Sequence, residues 1–80
     1  MTNRKNIDFG FVATAVGAPG ISDAEGYRGL MGDCEHNLGL GYSTIWMIEH
    51  HFSDYFPTPN PMGMLMNLAA RFPEAALGTC

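Results

Sequence analysis

The chain has 80 residues, of which 46 % are hydrophobic and only 15 % charged, with four Lys+Arg against eight Asp+Glu. A free-standing domain this small exposes a large surface and would carry nearer the roughly 25 % charge of ordinary globular chains, so the composition fits a piece of a larger body whose faces are covered. A net charge of −4 with no clustered cations excludes a nucleic-acid role, because binding to phosphates needs grouped Lys and Arg to displace counterions.

Two cysteines, Cys34 and Cys80, allow at most one disulfide, and Met1–Asp8 contains no apolar signal core. The longest uncharged run, Tyr55–Ala70, is broken by prolines at 57, 59 and 61 and falls short of the ~20 apolar residues that span a bilayer. The expectation is a soluble, reduced, cytoplasmic chain, with no membrane span, that forms one partial domain over residues 1–80.

Ile7–Val16 is nearly continuously apolar and ends at Gly17-Ala18-Pro19-Gly20, which predicts a strand buried on both faces, as in a parallel sheet. Ser22 and Glu25 form a capping box ahead of a helix. Tyr27, Leu30, Met31, Cys34 and Leu38 recur on one helical face, and Gly39 stands where a left-handed C-terminal cap is expected. Gly26, Gly29 and Gly32 lie inside this helix at up to ~1 kcal/mol each relative to alanine, and close packing is the expected reason.

Tyr42–Ile48 is rich in β-branched and aromatic residues and predicts a second strand, running into Glu49-His50-His51-Phe52. A loop over Ser53–Asn60 follows. Asn60 and Pro61 are suited to the cap and first turn of a second helix, whose apolar face is expected to comprise Met62, Leu65, Met66, Ala69 and Phe72, widened by Met64 and Leu68. Pro73 stops it, and Ala75–Thr79 predicts a third strand.

Strand and helix alternate, which predicts a parallel sheet with right-handed crossovers. No glycine-rich phosphate turn of GxGxxG spacing follows the first strand and no GxxxxGK occurs, so a (β/α)8 TIM barrel is favoured over a doubly wound open sheet. At about 200 residues or more for a barrel, this chain would supply three of the eight strands.

Glu49, His50 and His51 fall where a strand ends and a loop begins, the face on which barrels build active sites. Side chains alternate along a strand, so His50 should share a face with Trp46 and Ile48, while Glu49 and His51 share the other. An imidazole there can shuttle protons near neutral pH; the alternative is that both histidines cap the strand end against loop backbone. No HExxH, CxxC or other paired ligand spacing points to a metal, and Cys34 and His36, two apart on a helix, diverge by roughly 200°. Cys34 belongs to the apolar stripe. Cys80 ends a strand and could face a pocket, with no base identified beside it.

The stretch Leu40-Gly41-Tyr42-Ser43-Thr44-Ile45-Trp46-Met47-Ile48-Glu49-His50-His51-Phe52 resembles the second strand of the luciferase-like flavin-dependent monooxygenases, which typically read LGYDSVWxxEHHF. The resemblance extends through Tyr55-Phe56-Pro57-Thr58-Pro59-Asn60-Pro61, Leu68-Ala69-Ala70-Arg71 and Leu77-Gly78-Thr79, and takes in Phe9-Gly10, so that it spans roughly residues 7 to 80. It implies an eight-stranded barrel, often a homo- or hetero-dimer, that takes reduced FMN from a separate flavin reductase. Such enzymes use molecular oxygen to oxidise a small organic substrate, an aldehyde in the light-emitting branch.

By the same resemblance His50 matches the histidine implicated in flavin–oxygen chemistry and Glu49 a glutamate near the flavin ring. Cys80 matches a residue at the ring edge where many relatives have alanine, Thr79 supports it, and His51 and Phe52 stand behind. The family's phosphate-binding residues come from later strands and have no counterpart here, so the 80 residues alone are expected to be inactive and to bind FMN weakly. Alternatives are a deazaflavin-dependent oxidoreductase of the same fold, or an inactive truncated or flavin-holding relative.

Overall fold

The computed structural model of the protein describes residues 7–15, 19–51, 58 and 60–80. Five elements follow in order: β1 (Gly10–Ala13), α1 (Asp23–Gly39), β2 (Thr44–Met47), α2 (Pro61–Arg71) and β3 (Ala76–Thr79). The strands form one parallel sheet in the order β1-β2-β3, with Phe11 beside Ile45 and Ile45 beside Leu77. The chain is thus a small α/β unit with two consecutive crossovers. Among the described residues no helix is long and apolar enough to cross a membrane.

α1 starts where its chemistry dictates. The Ser22 hydroxyl accepts the Glu25 N–H at 3.1 Å, and a Glu25 carboxylate oxygen accepts the Ser22 N–H at 3.2 Å and its hydroxyl at 3.0 Å. These two bonds hold the Glu25 carboxyl below its ordinary pKa. The helix ends two residues later than the glycine at 39 suggests: Gly39 is still helical, and the left-handed residue is Gly41, at φ +110°. Gly41 N–H donates to the Leu38 carbonyl at 3.1 Å and Tyr42 N–H to the Asn37 carbonyl at 3.2 Å, the paired bonds of a Schellman cap.

α2 is capped by Asn60, whose side-chain oxygen accepts the Gly63 N–H at 3.0 Å, with Pro61 in the first turn, where its missing N–H costs nothing. Phe72 closes it ahead of Pro73.

One face of the sheet is covered by both helices. Ala13 and Ala15 of the β1 segment, Ile45 and Met47 of β2, Leu30 and Cys34 of α1, and Leu65 and Leu68 of α2 make a single buried cluster. Leu30, Ile45, Met47 and Leu68 are buried outright, each contributing about 1.5–3 kcal/mol of hydrophobic stabilisation. The α1 stripe read from spacing packs as expected, with Tyr27, Met31 and Leu38 against the cluster.

Three expectations are corrected. The first strand is not buried on both faces: Val12 is exposed, and the ladder covers only Gly10–Ala13, where β2 offers a partner. Val16 and the turn at 17–18 lie outside the described residues, as does the loop expected over Ser53–Asn60 apart from Thr58 and Asn60. The buried face of α2 is turned from the one predicted, since Pro61, Leu65 and Leu68 point inward while Met62, Met66 and Ala69 are exposed. Finally, a Cβ at Gly26, Gly29 or Gly32 would meet no atom within 4 Å, so close packing does not account for these glycines.

Candidate functional site

Because all three strands are parallel, their carboxyl ends lie at one rim, the edge where α/β proteins collect binding groups. Ile48, Glu49, His50 and His51 continue β2 past the ladder, and Cys80 continues β3. Cys80 N–H donates to the Met47 carbonyl at 2.9 Å, which seats Cys80 next to the end of β2. Alternation then puts Cys80 on the face shared by Ala76 and Gly78, away from the helices.

On that helix-free face Trp46 is the dominant side chain. Its indole spans the sheet: a Cβ at Gly10 would come within 2.7 Å of Nε1, and one at Gly78 within 2.5 Å of Cζ3. Glycine at both flanking positions is what lets the ring lie against the backbone. Trp46 is 40 % exposed, forming an aromatic surface below the rim.

Glu49 and His51 meet. His51 Nε2 and a Glu49 carboxylate oxygen are 2.6 Å apart, with both side chains about half exposed. Contact between residues two apart is what extended backbone delivers, and His50 between them alternates to the other side. His50 itself is exposed, and its N–H donates to the Thr58 carbonyl at 3.0 Å, which ties the end of β2 to the approach to α2. Thr58 is 3 % exposed. Among the described residues its hydroxyl has no hydrogen-bond partner, and it lines a cavity of about 210 Å³ with Tyr27, Asn60, Gly63 and Met64.

Thr79 takes the opposite parity to Cys80. It borders a groove of about 380 Å³ with Leu65, Met66, Ala69 and Leu77, on the side of α2. The structure therefore brings Glu49, His50, His51 and Cys80 to one rim, and sets Thr79 towards the helix layer. Phe52 lies outside the described residues. Cys34 is fully buried, and burial, aided by the Asp33 carboxylate, pushes its thiol up to about 11, so it is an inert core group. Both cysteines are free thiols. Among the described residues no group of His, Cys, Asp and Glu could hold a metal ion.

The rim gathers proton-handling and hydrogen-bonding groups, the Glu49 carboxylate, the His50 and His51 imidazoles and the Cys80 thiol. It is not built for a phosphate. The N-terminus of α1 carries the acidic Asp23 and Glu25, and that of α2 spends its Gly63 N–H on Asn60 and loses another donor to Pro61. The described cations are Arg28, exposed on α1, and Arg71, in the last turn of α2 at the far end of the sheet. The Glu49–His51 contact and the Trp46 bed were the features not assigned from sequence, although the two-residue alternation was there to suggest the first.

Compared with known proteins, no protein-family model matches the chain and no curated protein matches it.

Proposed function

We propose that this chain is the amino-terminal portion of a (β/α)8 barrel of the luciferase-like, FMN-dependent monooxygenase kind, which oxidises a small organic substrate with molecular oxygen in a reducing, cytoplasmic setting. The observation that carries the reading is the meeting of Glu49-His50-His51 with Cys80 at the carboxyl rim of a parallel sheet in sequential order, on the segment that resembles that family. Supporting it, the helix-free face has the apolar, aromatic character of a barrel interior, with Val12 and Trp46 exposed upon it.

Reduced FMN would supply the electrons that activate oxygen. His50 would hold or move a proton at an imidazole nitrogen beside the ring, Cys80 would border the ring edge, and Glu49 and Thr79, on the opposite parity, would support the rim from behind. Phosphate binding falls to residues outside this segment.

The test is turnover by the barrel protein that carries this segment, with FMN, a flavin reductase, NADH and oxygen supplied. His50→Ala should lower the rate by about 10²–10⁴-fold, the usual contribution of a positioned acid or base. Undiminished turnover in that variant would remove His50 from the chemistry, and a protein that neither binds FMN nor couples NADH to oxygen use would end the reading.

A further inference from the structure

We propose that Thr58 is the positioning residue of His50: a buried anchor whose backbone carbonyl takes the His50 N–H and so fixes where the His50 imidazole stands on the rim. What His50 does there rests on the function proposed above, but the tether itself can be tested without it.

The β2 ladder ends at Met47, so His50 lies three residues past the last strand pairing. Beyond a ladder, backbone N–H groups must find other partners, and those partners decide the course of the chain. His50 N–H finds the Thr58 carbonyl at 3.0 Å, an ordinary full hydrogen bond.

Thr58 is built to hold its end still. It is 3 % exposed, whereas His50 is exposed, and it borders one small cavity with Tyr27 of α1 and Asn60, Gly63 and Met64 of α2. It precedes Pro59 in sequence, which confines its own backbone to extended conformations. Two residues on, Asn60 is locked to α2: its side-chain oxygen accepts the Gly63 N–H at 3.0 Å and its carbonyl the Met64 N–H at 3.3 Å. The carbonyl that meets His50 is therefore carried by the helix layer, and a shift at the start of α2 is passed to the rim. The bond uses the Thr58 carbonyl and not its hydroxyl, so the side chain contributes shape and burial. Thr58 acts through His50 and not on the reacting atoms.

The experiment is amide hydrogen exchange of the full chain, followed residue by residue by ¹⁵N NMR, with Thr58→Gly and Thr58→Val. In the wild type His50 N–H should exchange more slowly than its sequence alone dictates. Thr58→Gly removes the buried side chain and should speed that exchange about two- to tenfold, the worth of one hydrogen bond, while the ladder amides of β2 keep their rates. Thr58→Val keeps the branched shape and the carbonyl and should restore the wild-type rate. Circular dichroism checks each fold; if Thr58→Gly does not fold, His50 protection in the wild type and in Thr58→Val decides. In the barrel protein that carries this segment, Thr58→Gly should lower kcat about ten- to a hundredfold, as misplacing a reacting group does, and by less than about twofold once His50 is alanine. A His50 N–H unprotected in the wild type or in Thr58→Val, unchanged exchange in a folded Thr58→Gly, or full additivity of the two losses in kcat overturns the positioning role. The expected exchange pattern, found together with full turnover in His50→Ala, upholds the tether and counts against the proposed function.

Discussion

Gly78→Ala should destabilise the chain through one side chain. The added Cβ would sit 2.5 Å from Cζ3, 2.7 Å from Cε3 and 3.1 Å from Cη2 of Trp46. Comfortable carbon contacts are about 3.5–4.0 Å, so the ring must withdraw by about 1 Å. Gly78 cannot yield easily, because it is paired directly with Trp46 in the parallel ladder. Nor can the ring slide towards β1, where the Cβ position of Gly10 lies 2.7 Å from Nε1. Overpacking of this kind costs about 1–3 kcal/mol, offset by the roughly 0.5–1 kcal/mol gained when alanine replaces glycine in a strand. A net loss of about 1–2 kcal/mol, at a urea dependence near 1 kcal/mol per molar for a small domain, lowers the unfolding midpoint by about 1–2 M. In a Trp46→Leu background the same substitution should be neutral or stabilising, giving a coupling above about 1 kcal/mol in a double-mutant cycle. Far-UV circular dichroism follows all four proteins equally. An unchanged midpoint for Gly78→Ala, or an equal loss with and without the indole, would refute the argument.

Gly29→Ala and Gly32→Ala should each raise stability by up to ~1 kcal/mol, since the new methyl group meets open space and helix propensity improves; urea midpoints that fall instead would show a hidden constraint at those positions. Alkali should act through Cys34. Burial pushes its thiol up to about 11 in the folded chain, from the 9.0 of an exposed thiol, so between those values the unfolded chain loses a proton that the folded chain keeps. Stability then falls as pH rises through that window, by roughly 2 kcal/mol at its upper end. The measurement is the difference in alkaline slope between wild type and Cys34→Ala, and equal slopes would contradict it.

Local chemistry was the most legible part of the fold. The Ser22–Glu25 box and the Asn60–Pro61 start each require particular atoms at particular spacing, and both formed as read. The α1 stripe was clear because Asp33, Glu35 and His36 interrupt it with polar positions that face solvent. α2 lacks such contrast: methionine, leucine and alanine surround most of its circumference, and periodicity could not choose between the Leu65–Leu68 side and the Met62–Met66 side. Only the sheet beneath decides. Gly39 and Gly41 were equally fit for a left-handed cap, and the choice fell to where the carbonyls of Asn37 and Leu38 found their donors.

At the rim, strand parity was enough to pair Glu49 with His51 and to part them from His50. The opposite settings of Thr79 and Cys80 follow from the same rule once β3 is known to begin at Ala76. What sequence could not reveal was the bed of Trp46, because Gly10 and Gly78 lie 68 positions apart and meet one ring only through the sheet register.

That bed gives the protein an optical reporter. The sequence contains a single tryptophan, so intrinsic emission comes with no competing indole, and it originates on the side of the sheet the helices leave bare. Anything that shields this side from water should move the emission to the blue, and a redox-active dye held nearby should quench it. Light from one ring thus signals whether anything has closed over that side of the strands.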